Sequence, residues 1–244
     1  MRHQDKVVVI TGAGQGMGRA MAQRFAAEGG RVVALDLQEA AARDVAAQLG
    51  DSALGLGCDV ADAASVRAAF EAIQEAFGRV DVLVNSAGTG AVDSFPEVPD
   101  ENWARVIGVN LTGTFLCCRE AVRLMQKGGH GGVLINVSST AIATGEGPAH
   151  YCATKAGVVG LTRSIARELA PQGIRANVLV PGPTNTPMMA DIPDEWRDQM
   201  IAAIPLGRMA EPEDLAGVAS FLASDDAAYM TGQNVSVNGG MAFL

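Results

Sequence analysis

Long hydrophobic runs are missing from this 244-residue chain. Its apolar stretches, such as "VVVI", "VVAL" and "VLVN", stop far short of the ~20 residues that a membrane-spanning helix needs. The polar lead "MRHQDK" carries no apolar core or small-residue cleavage site of a secretory signal, so a cytoplasmic address is expected. Cysteine is scarce too. Cys58, Cys117, Cys118 and Cys152 form no C-x-x-C pair, and with three histidines there is no dense metal-ligand cluster, so the thiols are expected reduced and mostly buried and no metal is expected. Positive charge is in deficit. A net charge of -9 would repel nucleic acid and anionic membrane surfaces, which leaves a small molecule as the expected ligand. Lysine is rarest of the charged residues, three against fifteen arginines, so each lysine invites a reason.

What is present is an alternation. Short β-branched runs at 6–11, 31–36, 53–58, 80–85, 132–138, 174–180 and 234–238 are separated by alanine-rich segments of helical period at about 16–29, 38–49, 62–77, 100–127, 150–171 and 211–223. That pattern predicts an α/β fold: a Rossmann-like, doubly wound, seven-stranded parallel sheet flanked by helices on both faces, in one domain. Pro183, Pro187, Pro193 and Pro205 break the periodicity across 182–210, and a loop of that length in a compact domain suggests a lid over a site.

"VITGAGQGMG" puts Gly12, Gly16 and Gly18, with Gln15 and Met17 between them, at a strand-to-helix turn. Glycine lets the backbone approach a pyrophosphate, whose charge the free N–H groups of the helix N-terminus would meet. The next strand ends at Asp36, about 20 residues on, where a carboxylate would accept hydrogen bonds from an adenosine ribose and repel a 2′-phosphate. No lysine or arginine stands in the glycine loop to neutralise such a phosphate, so NAD(H) is expected over NADP(H).

"HYCATKAG" places Tyr151 and Lys155 four residues apart on one helix face. An ammonium beside a phenol favours the phenolate and would bring the tyrosine toward acid/base use. Upstream, "INVSSTA" presents Ser138 and Ser139 thirteen and twelve residues before Tyr151 at a strand end, where open parallel sheets bind ligands, and a hydroxyl there would hold a substrate oxygen.

These motifs, "TGAGQGMG", "NSAG" at 85–88, Asn110 in "GVNLTGTF", the serine, "YCATK" and "PGPTNT", resemble in order and spacing the classical members of the short-chain dehydrogenase/reductase family, over essentially the whole chain. One departure is Ser86, where the family pattern has a second asparagine. The resemblance implies a tetrad: Tyr151 as acid/base, Ser138 orienting the substrate, Lys155 tuning the tyrosine and binding the nicotinamide ribose, Asn110 holding a water in the proton relay. It further implies Asp59 and Val60 near the adenine, Asn85, Ala87 and Gly88 along the ribose, and Pro181, Gly182, Thr184 and Thr186 around the nicotinamide. The implied activity is hydride transfer between NAD(H) and a secondary alcohol or ketone, with 3-oxoacyl thioester reduction and sugar or polyol oxidation as alternatives and a non-catalytic dinucleotide-binding module as the reading from another class. Glu146, His150, Met188, Met189 and Trp196 are candidate substrate contacts by their place near the tyrosine or in the lid. A small-residue and apolar surface around the helix at 150–171 suggests a partner helix, and the resemblance implies a homotetramer whose assembly tail is "YMTGQNVSVNGGMAFL".

Overall fold

The computed structural model describes residues 1–190 and 192–243; Asp191, within the expected lid, and Leu244, at the end of the expected assembly tail, lie outside the described residues. Seven parallel strands form one sheet: β1 (Val7–Thr11), β2 (Arg31–Asp36), β3 (Leu54–Gly57), β4 (Val82–Asn85), β5 (Gly132–Val137), β6 (Ile174–Pro181) and β7 (Asn234–Val237). Their spatial order is β3-β2-β1-β4-β5-β6-β7, so the winding reverses between β1 and β4.

The apolar runs are continuous because both faces of the sheet are buried, and successive side chains go to opposite faces. Val7 and Val9 join Val33, Leu83 and Leu134 on one face, while Val8 and Ile10 join Val32, Val82 and Ile135 on the other. The first face is covered by α3 (Ala63–Phe77), α5 (Gly113–Gly128) and α7 (Ala149–Leu169); the second by α1 (Gly16–Ala27), α2 (Glu39–Leu49) and α9 (Pro212–Ala223). Local chemistry sets helix starts as well. Asp62 accepts from the backbone of Ala64 and Ser65 at the head of α3, and Glu211 and Asp214 form a reciprocal capping box around Pro212 at the head of α9.

Three features depart from the periodicity. The single helix expected at 100–127 is divided into α4 (Asp100–Ile107) and α5 by a π-helical turn, Gly108–Thr112, that carries the buried Asn110. A short helix α6, Ala141–Thr144, follows β5. The expected irregular lid contains a 3-10 turn at Pro187–Met189 and a helix α8, Asp194–Ala202, which the flanking prolines concealed.

The N-terminal segment is fastened across two helices. His3 is fully buried, its ring 4.7 Å from that of Phe25, and its Nε2 lies 3.0 Å from Ser220 Oγ. The Ser220 hydroxyl in turn donates to the Glu28 carboxylate, so it accepts from His3 and the ring is held neutral with its proton on Nε2. Burial pushes the His3 imidazole down to about 4 from the ordinary 6.5. Between those values the unfolded chain binds a proton that the folded chain refuses, so stability is lost as pH falls through that window. Denaturant titrations at pH 7 and pH 5 should show a loss on the order of 1–2 kcal/mol that His3→Gln removes; an equal loss in wild type and variant would dismiss the assignment.

Candidate active site

The turn after β1 and the loop after β4 meet at the carboxyl edge of the sheet, where the winding reverses. Gly12, with φ +64°, passes so close to the neighbouring loop that a Cβ would stand 2.8 Å from Ala87 Cα. A Cβ on Gly18 would stand 2.1 Å from the Gly12 carbonyl oxygen, so only glycine lets α1 start so near the turn. Thr11 Oγ1 accepts from both Ser86 N and Ala87 N at 3.1 Å. The turn is thus held through backbone N–H groups, and Ser86 in place of asparagine leaves it intact.

These loops frame a crevice of about 270 Å³ lined by Gly12, Gln15, Gly16, Met17, Gly18, Asp36, Asp59, Val60, Ala87, Gly88 and Thr186, all expected there, together with Leu37, Gln38, Cys58, Ser86, Val109, Pro187 and Met188. Its chemistry fits a dinucleotide. The first turn of α1 has no side-chain cap and no acidic residue, so its free N–H groups can meet a pyrophosphate. Asp36 accepts from Gly14 N at 2.9 Å and Gln38 N at 3.0 Å, one bond per oxygen, which leaves lone pairs for two ribose hydroxyls. Among the described residues, no lysine or arginine lines the crevice.

Several expected cofactor residues lie elsewhere. Asn85 is buried and donates to Asn136 Oδ1, its neighbour across β4 and β5, at 2.8 Å and to Cys118 Sγ at 3.2 Å, so its side chain ties the sheet to α5 instead of reaching the crevice. Pro181, Gly182 and Thr184 shape the turn that delivers Thr186. The Pro181 carbonyl accepts from Thr140 N, Gly182 N donates to Val237, and Thr184 Oγ1 donates to the Gly182 carbonyl.

The expected acid/base pair lies at the start of α7. Lys155 is buried, donates from Nζ to the Val137 carbonyl at 2.9 Å, and stands 5.6 Å from the centroid of the Tyr151 ring. Burial pushes its ammonium down to about 8. Burial also raises the Tyr151 phenol above its ordinary value, and the opposing pull comes from the Ser139 hydroxyl beside it. This corrects two expectations. The ammonium does not dominate the tyrosine here, because it is turned toward Val137. And Ser138 is not the serine at the phenol: its hydroxyl is buried and donates to the Lys155 carbonyl at 2.9 Å, while Ser139, oriented by a bond from Ala141 N at 3.2 Å, faces Tyr151. Counting residues could not resolve this, since adjacent residues at a strand end point oppositely.

Asn110 is also engaged. Its Oδ1 accepts from Thr89 N at 2.8 Å, and its Nδ2 donates to the Thr89 carbonyl at 2.9 Å and to Thr154 Oγ1 at 3.2 Å, so the side chain clamps loops rather than offering itself to a water. A π-helical turn at such a position is a common mark of a functional site. His150, an expected substrate contact, is fully buried with Nε2 3.1 Å from Asp93 Oδ2 and does not face a substrate. Met188 is exposed and lines the crevice, Glu146 and Trp196 are exposed and do not, and Met189 is partly buried with its carbonyl accepting from Arg197. Thr89 and Asp93 are the participants that the sequence did not mark, and Ser139 is the one it passed over for its neighbour.

Residues 12–242 match the family described as enoyl-(acyl carrier protein) reductase. The chain is similar to (3R)-3-hydroxyacyl-CoA dehydrogenase of Mus musculus, 41% identical across 99% of this chain and 98% of that one. It is 42% identical to meso-2,3-butanediol dehydrogenase of Serratia marcescens, across 98% of this chain and 96% of the relative. Among solved structures it is similar to a 3-ketoacyl-(acyl-carrier-protein) reductase from Brucella melitensis complexed with NADH, with TM-score 0.93, 38% identity, and coverage of 98% and 99%.

Two outcomes test this geometry. In a Tyr229→Phe background, ultraviolet titration of the phenol should move to higher pH in Ser139→Ala and stay in place in Ser138→Ala; the reverse pattern would restore Ser138. Lys155→Met should raise stability by about 1–2 kcal/mol at pH 7, since it removes a buried charge at the cost of one carbonyl bond. Because the folded pKa is the lower one, that gain shrinks as pH rises from about 8 toward 10.5, and a destabilised Lys155→Met would contradict the burial argument.

Proposed function

The chain belongs to the short-chain dehydrogenase/reductase family, and on that premise we propose that it is an NAD-dependent oxidoreductase interconverting a secondary alcohol and its ketone, with Tyr151 handling the proton. The observation that carries this reading is the placement of Tyr151, Ser139 and Lys155 at the same sheet edge as a crevice whose ribose end is the uncompensated carboxylate of Asp36. Bound NAD(H) supplies the hydride chemistry at the nicotinamide. The protein's own groups do the rest. The N–H groups at the head of α1 receive the pyrophosphate, and Asp36 takes the adenosine ribose hydroxyls and repels a 2′-phosphate. Ser139 donates to the substrate oxygen, while Tyr151, a protonated phenol, gives its proton to the carbonyl oxygen in reduction and, as the phenolate so formed, takes it back in oxidation. Lys155 supplies a positive charge beside the phenol and a donor to the nicotinamide ribose. Asn110 keeps the loop after β4 in register with α7.

The segment 182–210, with α8 and the exposed Met188 and Trp196, acts as the substrate lid in this reading. Glu146, exposed in the segment before α7, is available to a polar substrate in this reading. Ala153, Ala156 and Gly160 are exposed along α7, and Phe115 is exposed on α5. That surface supports association through these two helices into a homotetramer. No helix among the described residues is long and apolar enough to cross a membrane, and we assign the enzyme to the cytoplasm. A second reading, reduction of 3-oxoacyl thioesters, is favoured by the names of two relatives. The substrate, not the cofactor, separates the two readings, because the similar 3-ketoacyl reductase structure itself holds NADH.

Steady-state assays on a panel of diols, sugars and 3-hydroxyacyl thioesters with NAD(H) and NADP(H) test the proposal. Wild type should prefer NAD(H), and Tyr151→Phe should lower kcat by about 10²–10⁴-fold. Asp36→Ala should lower kcat/KM for NAD about 10- to 100-fold, as expected for losing bonds to a charged acceptor, and leave NADP unchanged or improved. A wild-type preference for NADPH would overturn the role of Asp36, and full activity in Tyr151→Phe would overturn the mechanism.

A further inference from the structure

The loop after β4 has no regular structure from Ser86 to Ser94, yet it is held at two points along the catalytic helix. At its start, a Cβ on Gly88 would lie 3.7 Å from Lys155 Nζ. At its far end, Asp93 Oδ2 lies 3.1 Å from His150 Nε2. The two anchors, residues 150 and 155, are about 7.5 Å apart along the axis at 1.5 Å per residue, and Tyr151 lies between them. The stretch 88–93 therefore bridges the first turns of α7, those that carry Tyr151 and Lys155, as a wall along that end of the helix.

The far anchor closes a circuit of hydrogen bonds. Asp93 accepts from Asn102 Nδ2 at 3.1 and 3.3 Å, and Asn102 Oδ1 accepts from Arg105 at 3.3 Å. Arg105 donates to Thr89 Oγ1 at 2.7 Å and to the Gly90 carbonyl at 3.2 Å. Thr89 is bonded to Asn110, Asn110 to Thr154, and Thr154 Oγ1 donates to the Tyr151 carbonyl at 2.8 Å, back in the first turn of α7. Within this circuit His150 is fully buried, its Nδ1 has no partner, and Asp93 is the ring's one hydrogen-bond partner among the described residues. Without it the buried imidazole would have no partner and Asp93 would keep only Asn102, so this contact is what ties the far end of the loop to α7.

We propose that the His150–Asp93 pair is a latch that positions the 88–93 wall against Tyr151 and thereby sets substrate affinity and selection. His150 is a positioning residue: it acts on the substrate through the loop and does not touch it. The proposal rests on the oxidoreductase reading for its kinetic consequence, but not for its structural one.

The test uses the full chain carrying a nitroxide on Val92→Cys, an exposed position beside Asp93, in a Cys152→Ser background. His150→Leu and Asp93→Ala should make the label more mobile. In the unlabelled protein they should raise KM for the alcohol about tenfold or more while kcat and NADH affinity change less than about threefold, the signature of lost substrate binding. His150→Gln, which keeps a donor at the same reach, should restore both readouts. Unchanged mobility in His150→Leu and Asp93→Ala overturns the latch, as does a fall in NADH affinity and kcat in all three variants. If His150→Leu does not fold, Asp93→Ala decides by the same criteria. If wild type oxidises no alcohol in the panel, the oxidoreductase reading falls while label mobility still decides the latch.

Discussion

A reciprocal pair of bonds joins the end of β5 to the catalytic helix: Lys155 Nζ donates to the Val137 carbonyl, and Ser138 Oγ donates to the Lys155 carbonyl. Both are buried, where an unmade polar bond costs most, so together they fix the height and rotation of α7 over the sheet. The rest of the site depends on that seating. With Ser138 committed to the helix backbone, the next residue is turned outward, and Ser139 meets the phenol. Lys155 costs folding energy in this position, since burial lowers its pKa, and such a cost at a cleft is characteristic of a group kept for chemistry.

A second polar thread supports the first. Asn85 and Asn136 face each other across β4 and β5, Asn136 donates to Thr162 Oγ1 at 2.9 Å, and Thr162 returns to the Val158 carbonyl. The sheet is thereby stitched to α7 one turn and more beyond Lys155. This gives Asn85 a structural task at a position where a cofactor contact was expected. On the cofactor side the governing constraint is steric. The loops after β1 and β4 pass with no room for a Cβ at Gly12, and this close passage opens the crevice at the reversal of strand order.

Much of this was legible in the chain. All seven strands fall at the expected positions; the central ones are legible because a sheet buried on both faces demands uninterrupted β-branched runs, and the edge strands β3 and β7 by their place in the alternation. That the glycine turn and Asp36 line one crevice was legible because a strand, a glycine turn, a helix and a second strand ending in an acid form a narrow pattern of residue type and spacing. The π-helical turn was not, since one extra residue per turn leaves the apolar period nearly unaltered. Helix α8 was hidden by the prolines around it. His150 looked like a substrate contact because it precedes Tyr151, but neighbours on a helix point about 100° apart, and the imidazole turns into the core.

The sequence by itself determined the class of fold, the dinucleotide cradle with its acid, and the presence of a Tyr–Lys pair on one helix face, because each follows from local periodicity or from residue types at short spacing. Tertiary structure alone decided which of two adjacent serines serves the tyrosine, that Asn85 and Asn110 act as ties, and that His150 grips Asp93. Those outcomes depend on directions of side chains from elements far apart in the chain, and direction is set only when β5, α7 and the loop after β4 pack against one another.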